Sequence, residues 1–267
     1  MTKSRPGLGA SFAGGGVAAS VSCLLVALAA GSFASAAEVK LLQTVAIRRA
    51  VDELIPRFEA SSGHRVLAEF GTAGAIMTRV QRGEAVDVAI VTGPQSEELQ
   101  KQSRFMSGST VELAKVGIGV FVRKGAVKPD ISSVEAFKRS LLAAKSIAYP
   151  DPATGAAVGI YFVSLLERLG VAAELKPKSR SITAVAAMYD AVAKGDVEIG
   201  LGQRSEILAE PRVELVDLLP AEIQSFTLFA AGIVAGSEQQ DAGKALIRFI
   251  SSPAAQLMMK AKGFEAP

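Results

Sequence analysis

The stretch from Val39 to Val91, VKLLQTVAIRRAVDELIPRFEASSGHRVLAEFGTAGAIMTRVQRGEAVDVAIV, decides the fold. Val39-Lys40-Leu41-Leu42 reads as a strand. Ile47, Ala50, Val51, Leu54, Ile55 and Phe58 then recur at helical spacing, and Gly63 closes the helix. Pro56 falls inside that helix and predicts a kink. Arg65 to Phe70 alternates as a second strand. After the loop Gly71-Thr72-Ala73-Gly74 comes a helix to about Gln81, and Val86 to Val91 is a third strand. This βαβαβ order predicts a mostly parallel sheet with helices on both faces.

Toward the C-terminus a second unit of the same kind follows the long apolar strand Leu113 to Val122. Ser132 and Glu135 have the spacing of a capping box that opens a helix to about Ala144. The strand Ser146 to Tyr149 leads into a loop rich in Pro, Gly and Ala from Pro150 to Gly159, and a helix from Ile160 to Leu169 stops at Gly170. Ser181 is placed to cap a helix ending at Gly195, and Glu198 to Gly202 is a further strand. A strand near Phe226 to Val234 and two helices, about 240–251 and 253–262, finish the chain. The expectation is an α/β protein of two lobes, each a mostly parallel sheet flanked by helices, joined by a two-segment hinge. Residues 38–117 begin the first lobe, 118–225 form the second, and 226–267 complete the first.

Toward the N-terminus the reading changes. Lys3 and Arg5 are followed by an uncharged apolar run from Gly16 to Gly31 and by the small residues Ala34-Ser35-Ala36. This is the layout of a cleavable export signal over residues 1–37. The run is shorter than the roughly 20 residues that span a bilayer. Cys23 follows Ser20-Val21-Ser22, a poor lipidation motif, and reads as a small apolar residue of the signal. Cleavage after Ala36 or Ala37 leaves about 230 residues outside the cytoplasm, in the periplasm.

Two basic residues and no acidic one leave with the signal, so the formal charge falls from +3 to +1. Nothing in that balance points to nucleic acid. The remaining chain has no cysteine and a single histidine, His64, which excludes disulfides, thiol nucleophiles and Cys/His metal clusters. His64 sits in a loop between a helix and a strand, the place of a solvated histidine. No nucleophile elbow, phosphate loop or dinucleotide fingerprint is present. No catalytic residue, cofactor or metal is expected, and the composition points to binding.

In open α/β sheets ligands sit beyond the carboxyl ends of the strands, at loops that lead into helices. Four such loops stand out: 43–47, 71–74, 151–159 and 181–185. Each places unpaired N–H groups at a helix N-terminus, which favours an anion.

The order of these loops carries a family resemblance. The run Val39 to Leu54, then Phe70-Gly71-Thr72-Ala73-Gly74, Asp87-Val88-Ala89-Ile90, Asp151-Pro152 with Gly159-Ile160-Tyr161, Ile199 to Glu206, and the ending Ser252-Pro253-Ala254-Ala255 to Phe264, resembles the periplasmic molybdate-binding proteins of ABC importers. The resemblance implies a type II periplasmic binding protein fold, a small anion captured between lobes, an ABC permease partner in the inner membrane, and a monomer. It also implies an oxyanion pocket with two serines, a tyrosine and backbone amides. The serine positions match Ala46 and Ala73 here, the tyrosine position matches Gln203, and the amide positions match Val158 and Val185. Ile47, Gly74 and Gly159 flank these positions. Three hydroxyl donors are therefore missing. Hydrogen bonds to charged groups contribute about 1.5–3 kcal/mol each, so even two losses weaken affinity about a hundredfold.

That deficit favours a small organic carboxylate over molybdate, with Arg48 and Arg204 as bidentate partners and Thr72 and Gln203 as further polar contacts. One alternative is a molybdate or tungstate site made mainly of backbone amides. Others are an exported sensor domain, and an enzyme on a small acidic substrate using Asp87 or Asp151. Tyr161, after the third loop, fits packing as well as binding.

Overall fold

The computed structural model describes residues 36–267, so the export segment and Cys23 lie outside the described residues apart from Ala36 and Ala37. Strand β1 (Glu38–Thr44) runs directly into α1 (Val45–Ser62). The α1 residues Ile47, Ala50, Val51, Leu54, Ile55 and Phe58 are all buried, as their spacing requires. Gly63 ends the helix in the left-handed conformation, at φ 74°, and its N–H bonds the Glu59 carbonyl at 2.9 Å. Pro56 removes one N–H from the helix without ending it.

The first lobe continues through β2 (Arg65–Gly71), α2 (Ala73–Gln81), β3 (Val88–Thr92) and α3 (Gly93–Lys101). The long strand β4 (Val111–Arg123) leaves it. The second lobe holds α4 (Val134–Ala143), β5 (Ile147–Pro150), α5 (Ala157–Arg168), α6 (Ala172–Leu175), β6 (Ser179–Ile182), α7 (Val185–Lys194), β7 (Ile199–Gln203), α8 (Arg204–Leu208) and β8 (Val213–Leu218). Then β9 (Phe226–Ile233) returns, followed by α9 (Gln240–Ile250) and α10 (Pro253–Ala261).

Among the described residues the strands form one mixed sheet in the order β2-β1-β3-β9-β4-β7-β5-β6, with β8 on β4. The triplets β2-β1-β3 and β7-β5-β6 are parallel, while β4 and β9 run antiparallel to their neighbours. Residues Val111 to Gly117 of β4 pair with β9, whereas Ile118 to Phe121 pair with β7. One strand thus serves both lobes.

Each lobe is covered on both sheet faces. Leu41 packs with Ile47, Leu54 and Phe58 on one face, and its neighbour Leu42 packs with Ile76, Val80 and Leu99 on the other. In the second lobe Val120 meets Phe137 and Phe162, while Phe121 meets Met188 and Tyr189.

Three local expectations are corrected. Asp130 accepts both the N–H and the hydroxyl of Ser132, so Ser133 caps α4 instead, through a bond from Ala136 N–H at 3.2 Å. Ser181 lies within the unforeseen strand β6, and α7 starts at Val185 with no side-chain cap. Helix α5 begins at Ala157, three residues before Ile160, so Val158 and Gly159 belong to its first turn.

Candidate functional site

Five helices of eight residues or more begin around one small cavity of about 50 Å³. Thr44, Val45 and Ala46 come from the start of α1, Thr72 and Ala73 from α2, and Thr92 from the N-cap of α3. Ala156, Ala157 and Val158 come from α5, and Val185 from α7. The remaining lining is Pro150, Gln203, Glu206, Thr227 and Phe229. The caps of α1, α5 and α7 (Thr44, Ala156 and Ala184) make no side-chain capping bond, so first-turn N–H groups there are not satisfied by a cap. Together the helix dipoles make the cavity positive without any cationic side chain in its lining.

Polar side chains aimed into the cavity are short of partners. Thr44 is 2% exposed and its hydroxyl has no hydrogen-bond partner. Gln203 is 6% exposed; its Nε2 donates to Thr227 Oγ1 at 3.2 Å, while its Oε1 is unpartnered. A buried polar group left unmade costs about 1–3 kcal/mol, which a ligand would recover. Thr72 is already engaged, accepting from Ala75 N–H at 3.2 Å and donating to the Thr154 carbonyl at 2.9 Å.

Glu206 is the one ionisable residue of this lining. Burial pushes its pKa up to about 7, opposed by the Gln203 backbone N–H aimed at its carboxylate and by the charge of Arg49. That N–H contact follows from position, because Glu206 is the third residue of α8 and Gln203 is its N-cap.

The lobes touch on both flanks of the cavity. On one side lie the Thr72–Thr154 bond and the close approach of Gly74 to Gly155, where a Cβ on Gly155 would sit 2.9 Å from the Gly74 Cα. On the other, Ser205 Oγ donates to the Ala46 carbonyl at 3.2 Å and Arg49 donates to the Ala209 carbonyl at 2.5 Å.

Of the residues expected at the site, Ala46, Thr72, Ala73, Val158, Val185 and Gln203 meet in this cavity. Five do not line it. Ile47 is fully buried in the first-lobe core. Gly74 touches the opposite lobe instead. Gly159 is required by packing, since a Cβ there would lie 1.9 Å from the Pro150 carbonyl oxygen. Arg48 pairs with Asp52 at 2.9 Å and stacks over Phe70, lining an outer groove. Arg204 lies against Gly263, with its Nε buried and unpartnered.

The side chains set aside for other roles are engaged elsewhere. Asp87 accepts from Lys40 N–H at 2.8 Å and Ser237 Oγ at 2.6 Å, and Asp151 caps a short 3-10 turn through Ala153 N–H. His64 accepts from Ala37 N–H at 3.1 Å. The Tyr161 hydroxyl donates to the Ile223 carbonyl at 2.7 Å.

The profile of a family described as bacterial extracellular solute-binding protein matches residues 39–265. The chain belongs to this family. The chain is 31% identical over 233 residues to a protein named aconitate isomerase from Pseudomonas sp, spanning 84% of this chain and 86% of that one. It is 26% identical over 251 residues to the molybdate-binding protein ModA of Azotobacter vinelandii, spanning 92% and 98%. The solved periplasmic molybdate-binding protein of Azotobacter vinelandii shares the fold with a TM-score of 0.72 at 19% identity, over 86% of this chain and 99% of that one. The type II periplasmic binding fold is therefore that of this solute-binding protein too. Among its described residues no helix is long and apolar enough to cross a membrane.

Sequence reasoning missed Thr44, Thr92, Glu206 and Thr227 as site residues. Thr44 and Glu206 had available signals: a hydroxyl at the strand-to-helix junction, and a carboxylate three residues after a helix cap. Thr227 had none, since β9 reaches the cavity from the far end of the chain.

Proposed function

We propose that this is an exported, periplasmic solute-binding protein that captures a small organic carboxylate between its lobes and presents the closed form to an ABC permease. The observation that carries this reading is the cavity itself: helix N-termini converge on it, and a buried threonine hydroxyl lacks a partner. On this reading the lobes divide at residues 117–118 and 225–226; in its favour, the pairing of β4 passes from β9 to β7 between Gly117 and Ile118, and β9 begins at Phe226. Two crossing strands at that point suit a hinge.

Organic carboxylate is favoured over molybdate for two reasons. Ala46 and Ala73 bring no hydroxyl to the cavity. The relative named for aconitate points to the same ligand class.

Thermal unfolding of residues 38–267 against fumarate, citrate, trans-aconitate, molybdate, tungstate and sulfate tests the reading. A ligand at 100 times its Kd stabilises the fold by about 2.7 kcal/mol, a rise of several degrees in Tm. Stabilisation by carboxylates is expected. Stabilisation by molybdate or tungstate alone overturns the ligand class.

A second reading is favoured by Glu206 and by the aconitate isomerase relative: an enzyme that isomerises an unsaturated carboxylic acid. A carboxyl with a pKa of about 7 can take a proton and return it near neutral pH. Incubation of trans-aconitate with the protein, followed by proton NMR, separates the two. Conversion that is lost in Glu206→Gln supports the enzyme, and recovery of trans-aconitate alone supports binding.

A further inference from the structure

The cavity joins two things that oppose one another. Its backbone N–H groups and unpartnered Thr44 hydroxyl call for an anion, yet its one ionisable side chain is an acid. An anion seated among these helix N-termini lies beside Glu206 in a cavity of about 50 Å³, where two negative charges repel.

The surroundings leave Glu206 without a neutralising partner. From α1, Arg49 faces it, but that guanidinium bonds the Ala209 carbonyl and makes no ion pair with Glu206. From α7, Tyr189 faces it; its phenol is buried and unpartnered, and burial with the nearby charges of Glu206 and Glu210 holds its proton on. Glu210 is paired with Arg212, which also pairs with Asp190. Across the outer groove Lys262 is paired with Glu53 at 2.6 Å, and Arg48 with Asp52. The contacts between β4, β8 and α8 are apolar where Gly119 meets Leu215 and Ile207.

Resting on the carboxylate reading above, we infer that Glu206 enters the complex as the neutral acid, donating its O–H to an oxygen of the bound carboxylate, so that capture of one anion takes up one proton. The ligand keeps its charge, the proton comes from solvent, and release of the anion returns it. Glu206 thereby supplies a side-chain donor to the bound anion, and a fixed cation is not needed.

The sign follows from the acid being raised. Below about pH 7 Glu206 already carries the proton in the free protein and affinity is flat; above it the proton must be recruited, and affinity falls as pH rises. The experiment is titration calorimetry with fumarate and with trans-aconitate between about pH 7 and 9, where both probes are fully ionised. Each titration is run in two buffers of different ionisation enthalpy, so that protons are counted.

The expected result is a Kd that rises toward tenfold per pH unit, with about one proton taken up per anion at the upper end. Glu206→Gln should bind with a Kd that does not change with pH and with no proton uptake. A Kd flat across the range in the wild type, without proton uptake, overturns the inference alone. A pH dependence that persists in Glu206→Gln does so as well. Failure of both probes to bind near pH 7 overturns the carboxylate reading and this inference together. The wild-type proton count decides the matter even if the variant does not fold.

Discussion

The cavity and the outer groove beside it share Val45, Ala46, Val185 and Glu206, yet they are built from opposite materials. The cavity has backbone N–H groups, threonines and one acid. The groove, about 950 Å³ in volume, carries Arg48, Arg49 and Lys262 together with Asp52 and Glu210. Its cations are occupied: Arg48 by Asp52, Lys262 by Glu53, and Arg49 by the Ala209 carbonyl. Under the proposed function, the difference shows how an anion site can do without arginine. An unpaired guanidinium in a closed cavity is costly to desolvate whenever the ligand is absent, whereas helix N-termini supply partial positive charge that the fold has already oriented.

The comparison breaks first at the backbone. Gly159→Ala would drive a Cβ into the Pro150 carbonyl oxygen and force the first turn of α5 off β5. A destabilisation of about 3 kcal/mol is expected, lowering Tm by about 6–12 °C, with carboxylate binding lost as the Val158 amide moves. Calorimetric unfolding together with ligand titration checks this. A variant that melts normally and still binds would remove the α5 amides from the site.

Thr44→Val tests the side-chain part of the cavity. The hydroxyl is buried and unpartnered, so its removal should leave Tm unchanged or slightly higher while weakening carboxylate binding by about 1.5–3 kcal/mol, or roughly 10- to 150-fold. Isothermal titration gives the number. Undiminished affinity would mean that the hydroxyl never meets the ligand.

How legible this was in the sequence depended on which interactions were local. The helix α1 and its stop at Gly63 follow from apolar spacing and one glycine, and the long strand β4 follows from the mostly apolar run Leu113 to Val122, which only Lys115 interrupts with a charge. The cavity's amide positions were legible because they lie where strands pass into helices. What failed was competition between neighbours: Asp130 captured Ser132 and moved the α4 cap by one residue, and no pattern marks the exposed four-residue strand β6. The arginines misled for a similar reason. Arg48 does sit early in a helix that starts at the cleft, but Asp52 one turn later and the face of Phe70 hold it outside.

A smaller effect is expected at the flank where the lobes meet. Gly74 is the second residue of α2, and an added Cβ would lie 3.1 Å from the Thr154 carbonyl oxygen and 3.2 Å from the Gly155 Cα, both in the opposite lobe. Gly74→Ala should raise helix stability by about 0.5–1 kcal/mol and yet weaken capture several-fold, because the added methyl props the cleft. A more stable protein that binds less well is a signature that simple unfolding cannot produce. Equal or tighter binding would show that full closure on this flank is not needed.

The smallest effect belongs to the groove. Arg48 and Asp52 are about 40% exposed, and exposed pairs of this kind contribute about 0–1 kcal/mol to stability. Its charge is further shielded from an anion in the cavity by Asp52 and by salt, which screens exposed charges beyond about 8 Å. Arg48→Ala should therefore change Tm by no more than about 1–3 °C and the Kd for fumarate by less than about threefold. A loss of tenfold or more would mean that the guanidinium leaves Asp52 and swings into the cleft when the anion arrives. The groove would then be a second part of the binding site, and the division between backbone inside and arginine outside would hold only for the free protein.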